Sequence, residues 1–374
     1  MKTEQNILTD GLLQGNLGAQ ANLVLLFGST NRIKEKGLID MIRSAYPNTC
    51  IFGCTTAGEI IGTQVLDNSL IVTAISFSAT RVAGHMVKVT TSDDSHKAGA
   101  ELARSLAADD LKHVFVLSEG LNINGSELVR GLTENLPAGT TLTGGLSGDG
   151  DRFQETYVLL NNKPIKNAVG AIGFYGNSLH VGYGSLGGWD PFGPERLITR
   201  AKGNILYEVD GKSALALYKQ YLGEHAKGLP ATGLLFPLSL KMKKASRPVV
   251  RTLLSVNEEN QSMTFAGNMP ENAYARLMKA NFERLIDGAV DAAKTSVETI
   301  GSAKPEFAIL ISCVGRKLVL KQRIEEEVEG VCDIIGKDAT FTGFYSYGEI
   351  SPFAKGGTCE LHNQTMTITA LSEE

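Results

Sequence analysis

The sequence predicts an α/β fold of two domains whose sheets are covered by helices. Three observations carry that reading. A unit of apolar strand, amphipathic helix and Gly-rich turn recurs along the chain. Its strands are apolar without alternation, and its helices place apolar residues at intervals of 3–4.

The first unit starts at NLVLLFGST (22–30), continues through a helix around Leu38, Ile42 and Ala45, and ends at GCTTAGEI (53–60). The second runs from HVFVLSEG (113–120) through Leu128, Leu132 and Leu136 to TGGLSGDGD (143–151). The third runs from FAILISCVG (307–315) through Leu320, Ile324, Val328 and Val331 to TGFYSYGEI (342–350). Unalternated apolar strands fit a sheet covered on both faces, and the helical spacing buries one helix face against it. The Gly-Glu-Ile turns at Ile60 and Ile350 lead into similar tails, LDNSLIVTAIS and LHNQTMTITALS, each apolar enough for a closing strand. Matched by sequence, these tails place His362 opposite Asp67.

Between these units, ETYVLLNN, AVGAIGFYG, SLHVGYG, PVVRTLLSV and SMTFAG read as further strands. GWDPFGPE, within 187–195, is the clearest chain breaker, so the domain boundary is expected near Arg200. That gives a tail over 1–20, a first domain over 21–200 and a second over 201–374. A helix is expected from about Lys212, and a longer one over roughly 271–300.

With 374 residues, 43% hydrophobic and 20% charged, the chain is long enough for two cores. A net charge of −4 gives no reason to expect nucleic acid or an anionic membrane as partner. The N-terminus lacks a basic region followed by an apolar stretch, and no run approaches a membrane span, so a cytoplasmic location is expected. Five scattered cysteines without a C-x-x-C pair argue against a disulfide scaffold or structural zinc.

No phosphate-binding loop, dinucleotide fingerprint, nucleophile elbow or metalloprotease motif occurs, so no catalytic role is expected. GGLSGDGD reads either as a backbone anion cradle or as a tight turn. Glu59 and Glu349 either face a cleft or bond to the amides of their own turns. Cys313, Gly315 and Arg316 follow a buried strand, where open α/β sheets usually place ligands. Arg316 is suited to a carboxylate or propionate by its bidentate fork. His225 falls on one helical face with Leu215, Tyr218 and Leu222, as an axial haem ligand would. It reads equally as a helix C-terminal residue favoured by the dipole. His362, at C-x-x-H spacing from Cys359, is the second candidate. His180 is weaker, and His85, His96 and His113 offer less.

GCTTAGEI, GGLSGDGD, GWDPFGPERLITRAKGNILYEVDGKSALALYKQYLG, SCVGR, GFYSYGEISP and HNQTMT together resemble the FIST family of bacterial sensory proteins over nearly the whole chain. The resemblance implies a signal-input protein linked to a separate histidine kinase or cyclic-di-GMP enzyme, since no such output domain is seen in the sequence. The nitric-oxide-sensing subset (NosP) binds haem, and the similarity extends to it through YLGEHAKGLPATGLLFPL. It implies haem b held by His225, with His362 as alternative, and nitric oxide as signal. Without haem, the alternative is a sensor of a small metabolite such as an amino acid, clamped in a cleft by Cys313, Arg316, Tyr347 and Glu349. A homo-oligomer is compatible with either reading.

Overall fold

The computed structural model describes residues 1–8, 13, 15–242 and 248–373. It is a mixed α/β architecture of three related sheets arranged around one core, with a fourth, antiparallel sheet inserted into the last of them.

Each repeat builds its sheet in the same way. In the first, Leu23–Gly28 pairs in parallel with Cys50–Thr55 across the helix Leu38–Ala45. In the second, Leu111–Ser118 and Thr141–Leu146 flank Gly125–Thr133; in the third, Phe307–Cys313 and Thr340–Ser346 flank Ile324–Ile335. These are the strand–helix–strand units read from the sequence. In each, a return strand then lies antiparallel to the first: Leu70–Ser76, Ala168–Tyr175 and Met366–Glu373. A lead-in strand closes that edge: Lys2–Ile7, Arg81–Lys88 and Leu179–Leu186. The expected N-terminal tail is therefore corrected over residues 2–7, which form a paired strand; residues 9–12 and 14 lie outside the described residues.

The repeats are locked together by exchanged arms. Glu59–Ile61 of the first repeat pairs with Thr340–Ser346 of the third. Gly348–Pro352 of the third pairs with Thr141–Leu146 of the second, and Val158–Leu160 of the second pairs with Cys50–Thr55 of the first. Each of the three repeat sheets thus contains a strand from another repeat. Two of these exchanges cross the boundary expected near Arg200, which itself lies inside the strand Asp190–Lys202.

Alternate side chains of the leading strands explain the continuous apolar runs. Leu23, Leu25, Phe27, Phe115, Leu117, Phe307, Ile309 and Ile311 fill the interior between the sheets. Phe27 meets Phe344 at 4.7 Å and Phe52 meets Phe115 at 6.2 Å, joining the sheets across that interior. The intervening residues face the helices: Val24 and Leu26 pack with Leu38 and Ile42, while Val114, Val116, Ala308 and Leu310 share a second layer. Both strand faces are dry, so neither needs a polar residue.

The inserted sheet occupies the third repeat between its lead-in strand and the helix Phe282–Ile300. It has its own core of Ile198, Leu206, Leu215, Tyr218, Leu240, Met263 and Phe265. GWDPFGPE does not break the chain here. Its prolines belong to Asp190–Lys202, which pairs with Tyr274–Lys279 and absorbs the Pro–Gly stretch as a register break between Phe192 and Arg196. The expected helix over 271–300 is likewise shorter, because 274–279 alternates as that strand and Asn281 caps the helix by accepting from the Arg284 amide at 3.4 Å.

Candidate functional site

The residues singled out in the third repeat come together where Phe307–Cys313 ends and the arm Gly348–Pro352 turns into Cys359–His362. Glu349 is fully buried. Its Oε2 accepts from the Thr365 amide at 3.1 Å and the Thr365 hydroxyl at 2.9 Å, and its Oε1 accepts from Ser346 at 2.6 Å. Glu59 repeats this arrangement: the Ser69 amide and hydroxyl donate at 3.0 and 2.6 Å, and Thr56 supplies the remaining bond. Both carboxylates therefore tie an arm to the start of its return strand. Burial pushes the Glu349 carboxyl up to about 7, and burial also raises that of Glu59.

These bonds also correct the sequence matching of the tails. Glu59 pairs across its hairpin with Leu66, and Glu349 with His362. His362 is thus equivalent to Leu66, one residue away from Asp67. Asn68 and Gln364 then share the left-handed turn at φ 56° and 65°, followed by Ser69 and Thr365.

Arg316 is equally committed. Its Nη2 donates to Glu327 Oε2 at 2.6 Å and to the Leu285 carbonyl at 2.7 Å, and Nη1 donates to the Gly187 carbonyl. Ser312 and the Tyr345 hydroxyl donate to the other Glu327 oxygen at 3.0 and 2.8 Å. Cys313 is buried with its amide on the Thr365 carbonyl at 3.1 Å, and burial pushes its thiol far up. Tyr347 stacks on Phe153 at 4.3 Å and donates to Asp149. Asp149 in turn accepts from the amides of Phe153, Gln154 and Glu155 at 2.9–3.0 Å. The Gly-rich loop after Thr141–Leu146 is therefore a turn closed on its own carboxylate. Arg316, Tyr347 and Glu349 are drawn together in the fold, but their polar groups are spent on the protein and none is free to clamp a ligand.

The histidines separate. The helix Ala214–Leu222 buries Leu215, Tyr218 and Leu222, then ends at Gly223 with φ +55°. His225 lies beyond it on an exposed 3₁₀ turn, 5.3 Å from the Phe236 ring, so the expected shared face does not extend to it. His362 is buried, donates from Nε2 to the Ser351 carbonyl at 2.7 Å, and meets Phe353 edge-on at 4.2 Å. Burial lowers it to about 4, so the ring is neutral and Nδ1 is an acceptor.

His362 borders a cavity of about 330 Å³ between the third repeat and the inserted sheet. Thr365 and Phe353 share its wall on one side, and Trp189, Ser239, Val250 and Met278 on the other. No Lys, Arg, Asp or Glu lines it among the described residues. Trp189 is fixed by an indole hydrogen bond to the Gln364 carbonyl at 2.9 Å. Sequence reasoning passed over these inserted-sheet residues; the single tryptophan, inside a segment read as a breaker, was the one available signal.

Haem requires an imidazole nitrogen directed into an apolar cavity that admits a porphyrin. His225 is exposed. His362 keeps Nδ1 free while Nε2 holds the Ser351 carbonyl, as metal-bound imidazoles commonly do, but the cavity beside it, about 330 Å³, is at the lower end of the roughly 300–1,000 Å³ usual for small-molecule sites and too small for a porphyrin. Neither histidine therefore sits in a site that fits the group. Among the described residues, no cluster of three or more His, Cys, Asp or Glu is placed to hold a metal ion, and no helix is long and apolar enough to cross a membrane.

Comparison with known proteins divides the chain into two domains. A FIST N domain is matched over residues 22–212 and a FIST C domain over 214–352. The chain belongs to the FIST family. FIST domains are associated with a sensory role, and the two matches meet inside the inserted sheet, whose strands Asp190–Lys202 and Ile205–Val209 fall in the first match and those after residue 214 in the second. An uncharacterized protein of Methanocaldococcus jannaschii, MJ1623, is 23% identical over 375 residues, covering 93% of this FIST chain and 70% of the relative. Among solved structures, a chorismatase aligns over 99% of this chain and 98% of its own at 9% identity and a TM-score of 0.38. PurLQS from Thermotoga maritima aligns over 96% and 68% at 9% identity and 0.19. At these scores neither carries an argument about this protein.

Proposed function

We propose that this FIST protein senses a small, uncharged metabolite with a planar or aromatic part, bound in the cavity between the inserted sheet and the third repeat. The observation that carries the reading is the cavity itself, whose two walls belong to different structural units. A ligand touching both walls stabilises one relative placement of those units, and it shifts their equilibrium by its difference in affinity for the two placements. Trp189, Phe353 and Met278 offer apolar contact, while Ser239, Thr295 and His362 offer hydrogen bonds. With no charged side chain in the wall, a buried ionic ligand would be left without a partner. An amino acid, whose carboxylate and amine need counter-charges, therefore fits less well than a neutral heterocycle. On this reading the signal passes to a separate histidine kinase or cyclic-di-GMP enzyme.

Trp189 is the only tryptophan, so intrinsic fluorescence reports on the cavity directly. A panel of neutral heterocycles is expected to contain one that shifts Trp189 emission and raises Tm. At 100 times Kd the added stability is about 2.7 kcal/mol. Ser239→Phe, which fills the cavity, should remove both effects. A panel without any response, or a stoichiometric Soret band that shifts on nitric oxide, would overturn the reading, the latter in favour of haem.

A further inference from the structure

A second groove, of about 470 Å³, runs between the helix Gly125–Thr133 and the inserted sheet. Arg251 lines it and is 5% exposed. Its Nε donates to the Asn268 carbonyl at 3.3 Å and its Nη1 to the carbonyls of Val250 and Leu361 at 3.2 and 3.0 Å. Its Nη2 reaches only the Ser126 hydroxyl, at 3.5 Å. All these partners are neutral, and among the described residues no carboxylate forms an ion pair with Arg251. Glu360 at the groove wall attracts it only at longer range, so a buried guanidinium without a hydrogen-bonded counter-charge is left in an unfavourable setting, and burial lowers this one to about 10.

The donors left over point the same way. Nη2 retains an N–H with no acceptor among the described residues. Ser126 Oγ accepts from the Asn268 amide at 3.2 Å and from Arg251, which leaves its own proton undirected. One N–H and one O–H side by side match the two oxygens of a carboxylate. Val129, Leu240, Pro270 and Leu361 supply an apolar lining for a tail. Glu127, which holds Asn268 Nδ2 at 2.8 Å and Arg130, and Glu360, at the groove wall, disfavour a doubly charged head.

We infer that this groove is a binding site for an amphipathic monocarboxylate, its head held by Arg251 and Ser126 and its tail laid along the helix Gly125–Thr133. The site is independent of the Trp189 cavity. It joins the second repeat to the inserted sheet, so occupancy also fastens those two units.

The test is calorimetric titration of the full chain with hexanoate, with hexanol and hexyl phosphate as parallel arms. Hexanoate is expected to bind and hexanol not to. Ser126→Ala should weaken hexanoate about tenfold, the effect of one hydrogen bond to a charged group. Thr133→Trp, at a half-buried position of the groove wall that touches none of the proposed donors, should abolish binding and keeps the test open if an Arg251→Gln chain fails to fold. Ser239→Phe should leave hexanoate binding unchanged, which separates this site from the proposed sensory cavity. No heat with millimolar hexanoate, equal binding of hexanol, preference for hexyl phosphate, or indifference to both Ser126→Ala and Thr133→Trp would each overturn the inference.

Discussion

Glu349 carries a pH signature that follows from its burial. Its folded-state carboxyl lies at about 7 against an ordinary value of 4.5. Between those values the native chain binds the extra proton, so this residue's contribution falls as pH rises from about 4.5 to 7 and stays low above. His113 and His362 act in the opposite sense. They are held neutral at about 3 and about 4, so their contribution is present above 6.5 and is lost as pH falls toward those values. Glu349→Gln removes the first effect alone, because an amide oxygen still accepts from Thr365 and the Ser346 hydroxyl can turn to accept from the amide nitrogen. The variant should melt higher than the native chain at pH 8 and lose that advantage by pH 5. Parallel melting curves over this range would show that Glu349 is not buried as described. At this scale the sequence exposed the pairing of Glu59 and Glu349 through their shared turns. It could not show that Thr56, Ser69, Ser346 and Thr365 saturate them, because those bonds need the return strand folded back.

Within the repeated unit, one small residue is fixed by the ladder itself. Gly53, Gly144 and Gly343 occupy equivalent positions in the second strands, each opposite an exchanged arm. A Cβ at any of them would collide with the neighbouring strand's carbonyl oxygen, that of Leu26, Val116 or Leu310. The colliding atom is backbone, so relief requires the parallel pair to separate. Gly343→Ala should therefore cost about 3 kcal/mol, the upper part of the range for overpacked sites, measured by urea unfolding. A loss below 0.5 kcal/mol would mean that the strands have slack at this position. The strand and helix pattern was legible because each parallel strand is buried on both faces and each helix on one. The inserted sheet was harder to read. Its segment 274–279 is too short to distinguish a strand from a helix start, and Asp190–Lys202 carries its Pro–Gly stretch in a register break.

For the whole molecule, the exchanged arms determine what can fold alone. The FIST N match ends at 212, yet its second sheet needs Gly348–Pro352 and Cys359–His362, while its own Glu59–Ile61 and Leu179–Leu186 complete the third. A fragment of residues 1–212 would leave Thr141–Leu146, Glu59–Ile61, Leu179–Leu186 and Asp190–Lys202 without partner strands they need, and would uncover part of the shared interior. It is expected to be aggregated or molten when expressed alone, and to gain cooperative unfolding when co-expressed with 213–374. A fragment with a sharp two-state melt by itself would contradict the interlocked arrangement.

The sequence alone determined the α/β class, the repeated unit and the family resemblance. The first two rest on periodicity and local turn chemistry, which each segment carries within itself, and the resemblance rests on the ordered set of motifs. The sequence also named Cys313, Arg316, Tyr347, Glu349 and His362, residues that the fold gathers in the third repeat. Only the tertiary structure decided what those residues do, because a polar side chain is free or spent according to partners far along the chain. Arg316 is consumed by Glu327 and two carbonyls, and Tyr347 by a loop about 200 residues earlier. The Trp189 cavity and the Arg251 groove exist only where the inserted sheet meets the repeats, and such a contact leaves no periodic trace in the sequence.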